Sequence, residues 1–194
     1  MPVWMSWVAV GTLALTATGL LLSRSWRISL GLLALQNLAA FFLMQKHWSL
    51  SMSAAMLLTG WMSAAALGMT RLNTKEDSEG DTSWPQGGFF RLFASGLVLL
   101  AVTVGAGSLD SWMPHSAPDI TWGASILVGL GFLHLGMTLQ PMRVIIGLLT
   151  TLLGFELFYS IVESSILVSG LVVAVTLGLA LEGCYLLMLG EQTA

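Results

Sequence analysis

The sequence predicts an all-α fold: a polytopic membrane bundle of about seven transmembrane helices. Composition points there first. Of 194 residues, 56% are hydrophobic and 9% charged, with a mean hydropathy of +0.84, whereas a soluble domain carries about a quarter charged residues. Apolar windows of about 19–20 residues, the length that crosses a hydrocarbon core of about 30 Å, then recur along the chain. Finally, lysine and arginine fall almost entirely on alternate sides of those windows.

The predicted spans are 3–22, 28–45, 50–69, 89–107, 120–139, 144–162 and 166–189. The first lacks a basic leader and is long for a signal-peptide core of about 7–15 residues, so it is expected to be a retained span. The second carries Gln36 and Asn37. The third holds a run of small residues from Ser51 to Gly68, including Ser53, Gly60 and Ser63, suited to close helix packing. The fourth has Arg91 near its start, the fifth His134, and the sixth and seventh Glu156 and Glu182.

Residues 70–88 are polar and acidic and are punctuated by Gly and Pro, so they read as a solvated linker. Its acidic cluster, Glu76, Asp77, Glu79 and Asp81, offers a docking patch at most. The linker divides the chain into a three-helix unit, 1–69, and a four-helix unit, 89–194. Spans two and six begin with the same pattern, Arg27-x-x-x-Gly31-Leu-Leu and Arg143-x-x-x-Gly147-Leu-Leu. A parallel duplication of a three-helix unit, with span four as connector, would produce that pattern; so would chance in leucine-rich sequence.

Cytoplasmic loops are enriched in Lys and Arg. With the N-terminus outside, Arg24, Arg27, Arg71, Lys75, Arg91 and Arg143 fall inside and only Lys46 outside. The outer loop 108–119 has Asp110 and Asp119 and no basic residue. Trp4, Trp7, Trp26, Trp48, Trp84, Trp112 and Trp122 lie near span ends, where an amphipathic indole prefers to sit. An inside C-terminus follows, with Glu163 solvated at an outer boundary.

Cys184 is the only cysteine, so this chain alone forms no intrachain disulfide, cysteine zinc site or iron–sulfur cluster. No phosphate-binding glycine loop, nucleophile elbow or metalloprotease helix occurs. No cofactor and no nucleic-acid partner are expected.

The candidate functional residues are the ionisable groups at membrane depth. A charge there costs roughly 2.5 kcal/mol or more unless neutralised, hydrated or paired, and such residues mark proton, ion or substrate pathways. Glu156 and Glu182 are the leading candidates, His134 a further one, with Gln36 and Asn37 as supporting polar residues. A buried carboxyl is disfavoured as the anion, and a group that titrates near the working pH can accept and release a proton; histidine does so unaided. At about 1.5 Å per residue, Glu156 lies roughly 20 Å from the inner end, Gln36 roughly 12 Å, Glu182 roughly 10–12 Å and His134 roughly 9 Å. If spans two, five and seven are neighbours, Gln36, His134 and Glu182 form one buried polar layer with Glu156 above it. The plainer alternative is that all five only hydrogen-bond helices together.

The segment Leu152-Leu-Gly154-Phe-Glu156-Leu-Phe-Tyr-Ser160, followed by a last span with Ala180-Leu-Glu182-Gly183, resembles the NuoK-type subunit of respiratory complex I and its MrpC-type antiporter relative. The seven spans and Trp26-Arg27-Ile-Ser29-Leu-Gly31-Leu-Leu-Ala-Leu-Gln36 are closer to component E of hydrogenase-four type complexes, over about 28–70 and 120–190. Where that pattern carries a lysine in the third span, this chain has Thr59-Gly60-Trp61.

The resemblance implies a non-catalytic subunit of a prokaryotic inner-membrane complex, partnered by antiporter-like and quinone- or hydrogenase-type subunits. Glu156 and Glu182 would then be its proton-transfer carboxylates. A structural subunit without a relay role and a small stand-alone transporter are the alternatives.

Overall fold

A computed structural model describes residues 3–73, 87–112, 118–162 and 165–192. Seven helices cover nearly all of them: α1 (Val3–Leu22), α2 (Trp26–Met44), α3 (Leu50–Asn73), α4 (Gly88–Trp112), α5 (Pro118–Gly136), α6 (Pro141–Val162) and α7 (Ile166–Gln192). Each is long and apolar enough to cross a membrane, and a helix is the element that satisfies its own backbone polar groups in lipid. The chain is a polytopic helical bundle.

Helix ends depart from the sequence expectation where polar residues continue a helix. The α3 helix runs on through Arg71 to Asn73, and α4 continues to Trp112, so the expected outer loop at 108–119 is helical at 108–112 and again from Pro118. Prolines at 118 and 141 occupy first helical positions, where a missing N–H costs nothing. Arg143 therefore sits inside the first turn of α6. The acidic linker cluster at 76–81, Trp84 and Glu163 lie outside the described residues.

Short connections, such as 23–25 and 137–140, make successive helices antiparallel. Two rows result. The α1–α2–α3 row packs against the α5–α6–α7 row in the same order, with α1 on α5, α2 on α6 and α3 on α7; α4 lies outside, against α5 and α1. The shared pattern Arg-x-x-x-Gly does not make equivalent contacts. Gly31 faces open space, whereas Gly147 lies under His134 and Leu135.

The tightest seam is between α5 and α6. The Thr151 side chain lies over Gly131, and a Cβ at Gly154 would come within 2.9 Å of the Val128 backbone nitrogen. Small residues here let two backbones approach, which drives association in lipid, where both helix faces are equally apolar. By contrast only 17% of α4 and 22% of α7 is buried over their spans, against 61% of α6, so these two helices form the periphery.

The two ends of the bundle differ in charge. At one end Arg91 on α4 donates to the Leu21 carbonyl and Arg143 on α6 to the Ser23 carbonyl, at the C-terminus of α1. Those carbonyls have no partner within their own helix, and the negative end of the helix dipole favours cations. Arg91 is thus buried because it caps a neighbour. At the other end Lys46, the exception to the predicted charge distribution, pairs with buried Asp119 in the first turn of α5 and bonds the Ser6 hydroxyl of α1. Trp7 on Trp122 and Trp48 on Tyr159 meet edge to face at this end.

Candidate functional site

Glu156 occupies the junction of α2, α3, α6 and α7. The α6 helix is the most buried of the seven, and Glu156 is 5% exposed on it. Its Oε1 accepts a hydrogen bond from the Thr176 hydroxyl of α7 at 3.1 Å. A small cavity beside it, about 10 Å³ and so about the room one water needs, is lined by Asn37, Gly60, Ser63, Glu156 and Thr176 together with Leu33, Met56, Leu149 and Leu153.

Each polar group reaches this point by helix periodicity. On α3 the buried positions Ser53, Met56, Gly60, Ser63, Leu67 and Thr70 alternate in steps of three and four, placing one stripe toward the interior. On α7, Ser169, Thr176 and Gly183 recur every seven residues on the inward face. Gly183 against Leu67 fixes the register of these two parallel helices, and Gly60 and Thr176 consequently meet at the cavity. From α2, Asn37 lays its amide across Gly60, where a Cβ would collide with the amide oxygen. Asn37 Nδ2 donates to the Leu33 carbonyl at 2.9 Å, and Trp61 Nε1 adds a bond to the Ala34 carbonyl at 3.1 Å.

Toward the arginine-bearing end the site is closed by an apolar cluster that includes Leu30, Leu67, Met142, Ile145 and Ile146. Among the described residues no group of three His, Cys, Asp or Glu side chains could hold a metal ion. The cavity sets one enclosed carboxyl group beside the neutral polar side chains of Asn37, Ser63 and Thr176.

The remaining expected residues are dispersed. Glu182 is exposed: Gly183 beside it faces the bundle, packed on Ile145 and Leu67, which turns Glu182 outward between exposed Leu181 and Tyr185. It lies about one helical turn from the arginine-bearing end. His134 is buried in the last turn of α5 against Gly147, with Nε2 lacking a hydrogen-bond partner among the described residues, and the charges acting on it are those of Arg143 and Arg91. Nine residues of α6, roughly 13 Å, separate the Gly147 level from Glu156. Gln36 is fully buried, and neither of its amide atoms has a hydrogen-bond partner among the described residues.

The expected layer of Gln36, His134 and Glu182 is thus not formed, because α7 packs on α3 and α6 rather than beside α2 and α5. Asn37 is the supporting residue that lines the same cavity as Glu156. Thr176 was not anticipated and Ser63 only as packing; the seven-residue spacing of Ser169, Thr176 and Gly183 is the signal that would have marked Thr176. No protein-family model, curated protein or solved structure matches the chain.

Proposed function

We propose that the chain is a non-catalytic membrane subunit of a larger complex I, membrane-bound hydrogenase or Mrp-type assembly. In it Glu156 exchanges protons or cations as redox or ion-driven chemistry proceeds elsewhere. The observation that carries this reading is the enclosure of Glu156 at a four-helix junction with one hydroxyl partner and a water-sized cavity. A carboxyl kept only for packing would have its lone pairs filled by donors, and such intramembrane groups mark pathways by default.

The outer faces of α4 and α7, including Phe89, Phe93, Leu97, Leu167 and Leu171, each more than 60% exposed, are apolar as contact with lipid or with a neighbouring helix equally requires. Neighbouring antiporter-like or hydrogenase-type subunits would cover these faces, and Glu182 would lie at such a contact. His134 and Glu182 would belong to the route on the arginine-bearing side of Glu156. That end faces the cytoplasm of a prokaryotic inner membrane in this reading, with the N-terminus outside.

The test is Glu156→Gln in the assembled complex. The amide preserves shape and can accept the Thr176 bond but cannot release a proton, so translocation is expected to fall to background while assembly persists. Unchanged translocation with Glu156→Gln refutes the role. The glycine-lined α5–α6 seam favours a second reading, a purely structural subunit, which predicts that outcome together with loss of the complex on deleting the chain.

A further inference from the structure

Thr176 stands between two acceptors. Its Oγ1 lies 3.1 Å from Glu156 Oε1 on α6 and 2.9 Å from the Val172 carbonyl oxygen, one turn earlier on its own helix. A hydroxyl has one proton to give and two lone pairs with which to accept. It satisfies one of these oxygens at a time, and the protonation of Glu156 decides which. Asn37 Nδ2 donates to the Leu33 carbonyl and Ser63 Oγ to the Thr59 carbonyl, and neither is bonded to Glu156 among the described residues.

When Glu156 is ionised, its oxygens only accept, and a bond to a charged acceptor is roughly twice as strong as one to a neutral carbonyl. The Thr176 proton then goes to Glu156. When Glu156 is protonated, its own O–H becomes the donor and Thr176 Oγ1 the acceptor, which sends the Thr176 proton to Val172. That carbonyl already accepts the Thr176 amide within the α7 helix, so it gains a second bond. Both states leave the enclosed carboxyl with a partner.

Glu156 is the only acidic or basic side chain lining the cavity. Around it, α2 and α3 carry only Arg27 and Arg71, toward the arginine-bearing end, and α5 carries Asp119 and His134 near its two ends. On α7, Glu182 faces outward and Glu191 stands in the last turn.

We infer that Thr176 is a two-way hydrogen-bond switch: it donates to the Glu156 carboxylate, accepts from the Glu156 carboxyl, and bonds the Val172 carbonyl only in the second state. This deepens the proposed function and rests on Glu156 being the group that exchanges protons. Thr176 is a positioning residue for that exchange, and it carries each change of protonation into the backbone of α7. A threonine bonded back to the carbonyl four residues earlier often bends its helix, and this turn lies between exposed Leu171 and Val175 on a peripheral helix.

Val172-Val173 is the only Val–Val pair in the sequence. Valine labelled with carbon-13 at the carbonyl and nitrogen-15 at the amide therefore gives one directly bonded carbonyl–amide correlation, that of the Val172 carbonyl. It is read by NMR on the full chain in lipid vesicles across a pH series. The Glu156 side-chain carboxyl carbon is followed beside it, assigned as the resonance missing from Glu156→Gln.

As pH falls and Glu156 takes its proton, the Val172 carbonyl should shift downfield with the same midpoint as the Glu156 carboxyl. The shift should vanish in Glu156→Gln and in Thr176→Val, and persist in Thr176→Ser, which keeps the hydroxyl. A carboxyl that titrates while the Val172 carbonyl stays fixed, or a carbonyl shift that survives in Thr176→Val, overturns the switch and leaves the proposed function standing. A carboxyl held in one protonation state throughout also overturns the switch, and translocation by Glu156→Gln then decides the proposed function by itself.

Discussion

The carboxamide of Asn37 on α2 occupies the space that any side chain at residue 60 of α3 would need, so Gly60 and Asn37 are a matched pair. The pair sets how closely α2 and α3 approach at the level of Glu156. Both residues also line the cavity beside Glu156, and the Asn37 amide nitrogen donates to the Leu33 carbonyl.

Gly60→Ala is therefore expected to evict Asn37 and separate the two helices, costing about 1–3 kcal/mol as overpacking does. In the double variant with Asn37→Ala the clash is gone, and most of that loss should return. Unfolding of all four members of the cycle in mild detergent measures the coupling.

Lys46→Ala should leave the Asp119 carboxylate buried without its cation and lower stability by roughly 2 kcal/mol. Replacing both residues, Lys46→Met with Asp119→Leu, should recover most of it, because an apolar pair leaves no stranded charge. Equal destabilisation by the single and double changes would show that the pair contributes through something other than charge.

Arg91→Ala and Arg143→Ala each remove a donor from the end of α1, at about 1.5–3 kcal/mol for a hydrogen bond to a charged group. The effect should be local. Hydrogen exchange is expected to accelerate at the Ser23 amide, which bonds the Gly19 carbonyl, before it changes in α5 or α6.

Orientation is readable with single cysteines in a Cys184→Ala background. Ser25 and Ser49 are exposed at opposite ends of α2. An impermeant maleimide should label Ser49→Cys in intact cells and Ser25→Cys only after the membrane is opened. The reverse pattern would invert the proposed topology.

Thr176→Val keeps volume but removes the hydroxyl beside Glu156. Stability should change by only about 1 kcal/mol, while translocation by the assembled complex should slow well beyond what that loss explains. An unaltered rate would place Thr176 outside the working site.

The sequence by itself determined the class and the seven spans, and it marked Glu156 and Glu182 alike as carboxyls within apolar stretches. Hydrocarbon thickness dictates span length, and an unpaired backbone or charge is too costly there to be hidden. Short loops likewise determined that neighbours in sequence are antiparallel. It did not determine how each helix is rotated, because a face against lipid and a face against another helix are equally apolar.

Rotation and helix order came only from the tertiary structure. Packing of Gly183 on Leu67 and Ile145 turned Glu182 outward, and α3 against α7 brought Thr176 and Gly60 to Glu156. That same packing left His134 and Gln36 in separate places, with Thr176 bonded to the enclosed carboxyl and Asn37 lining the cavity beside it.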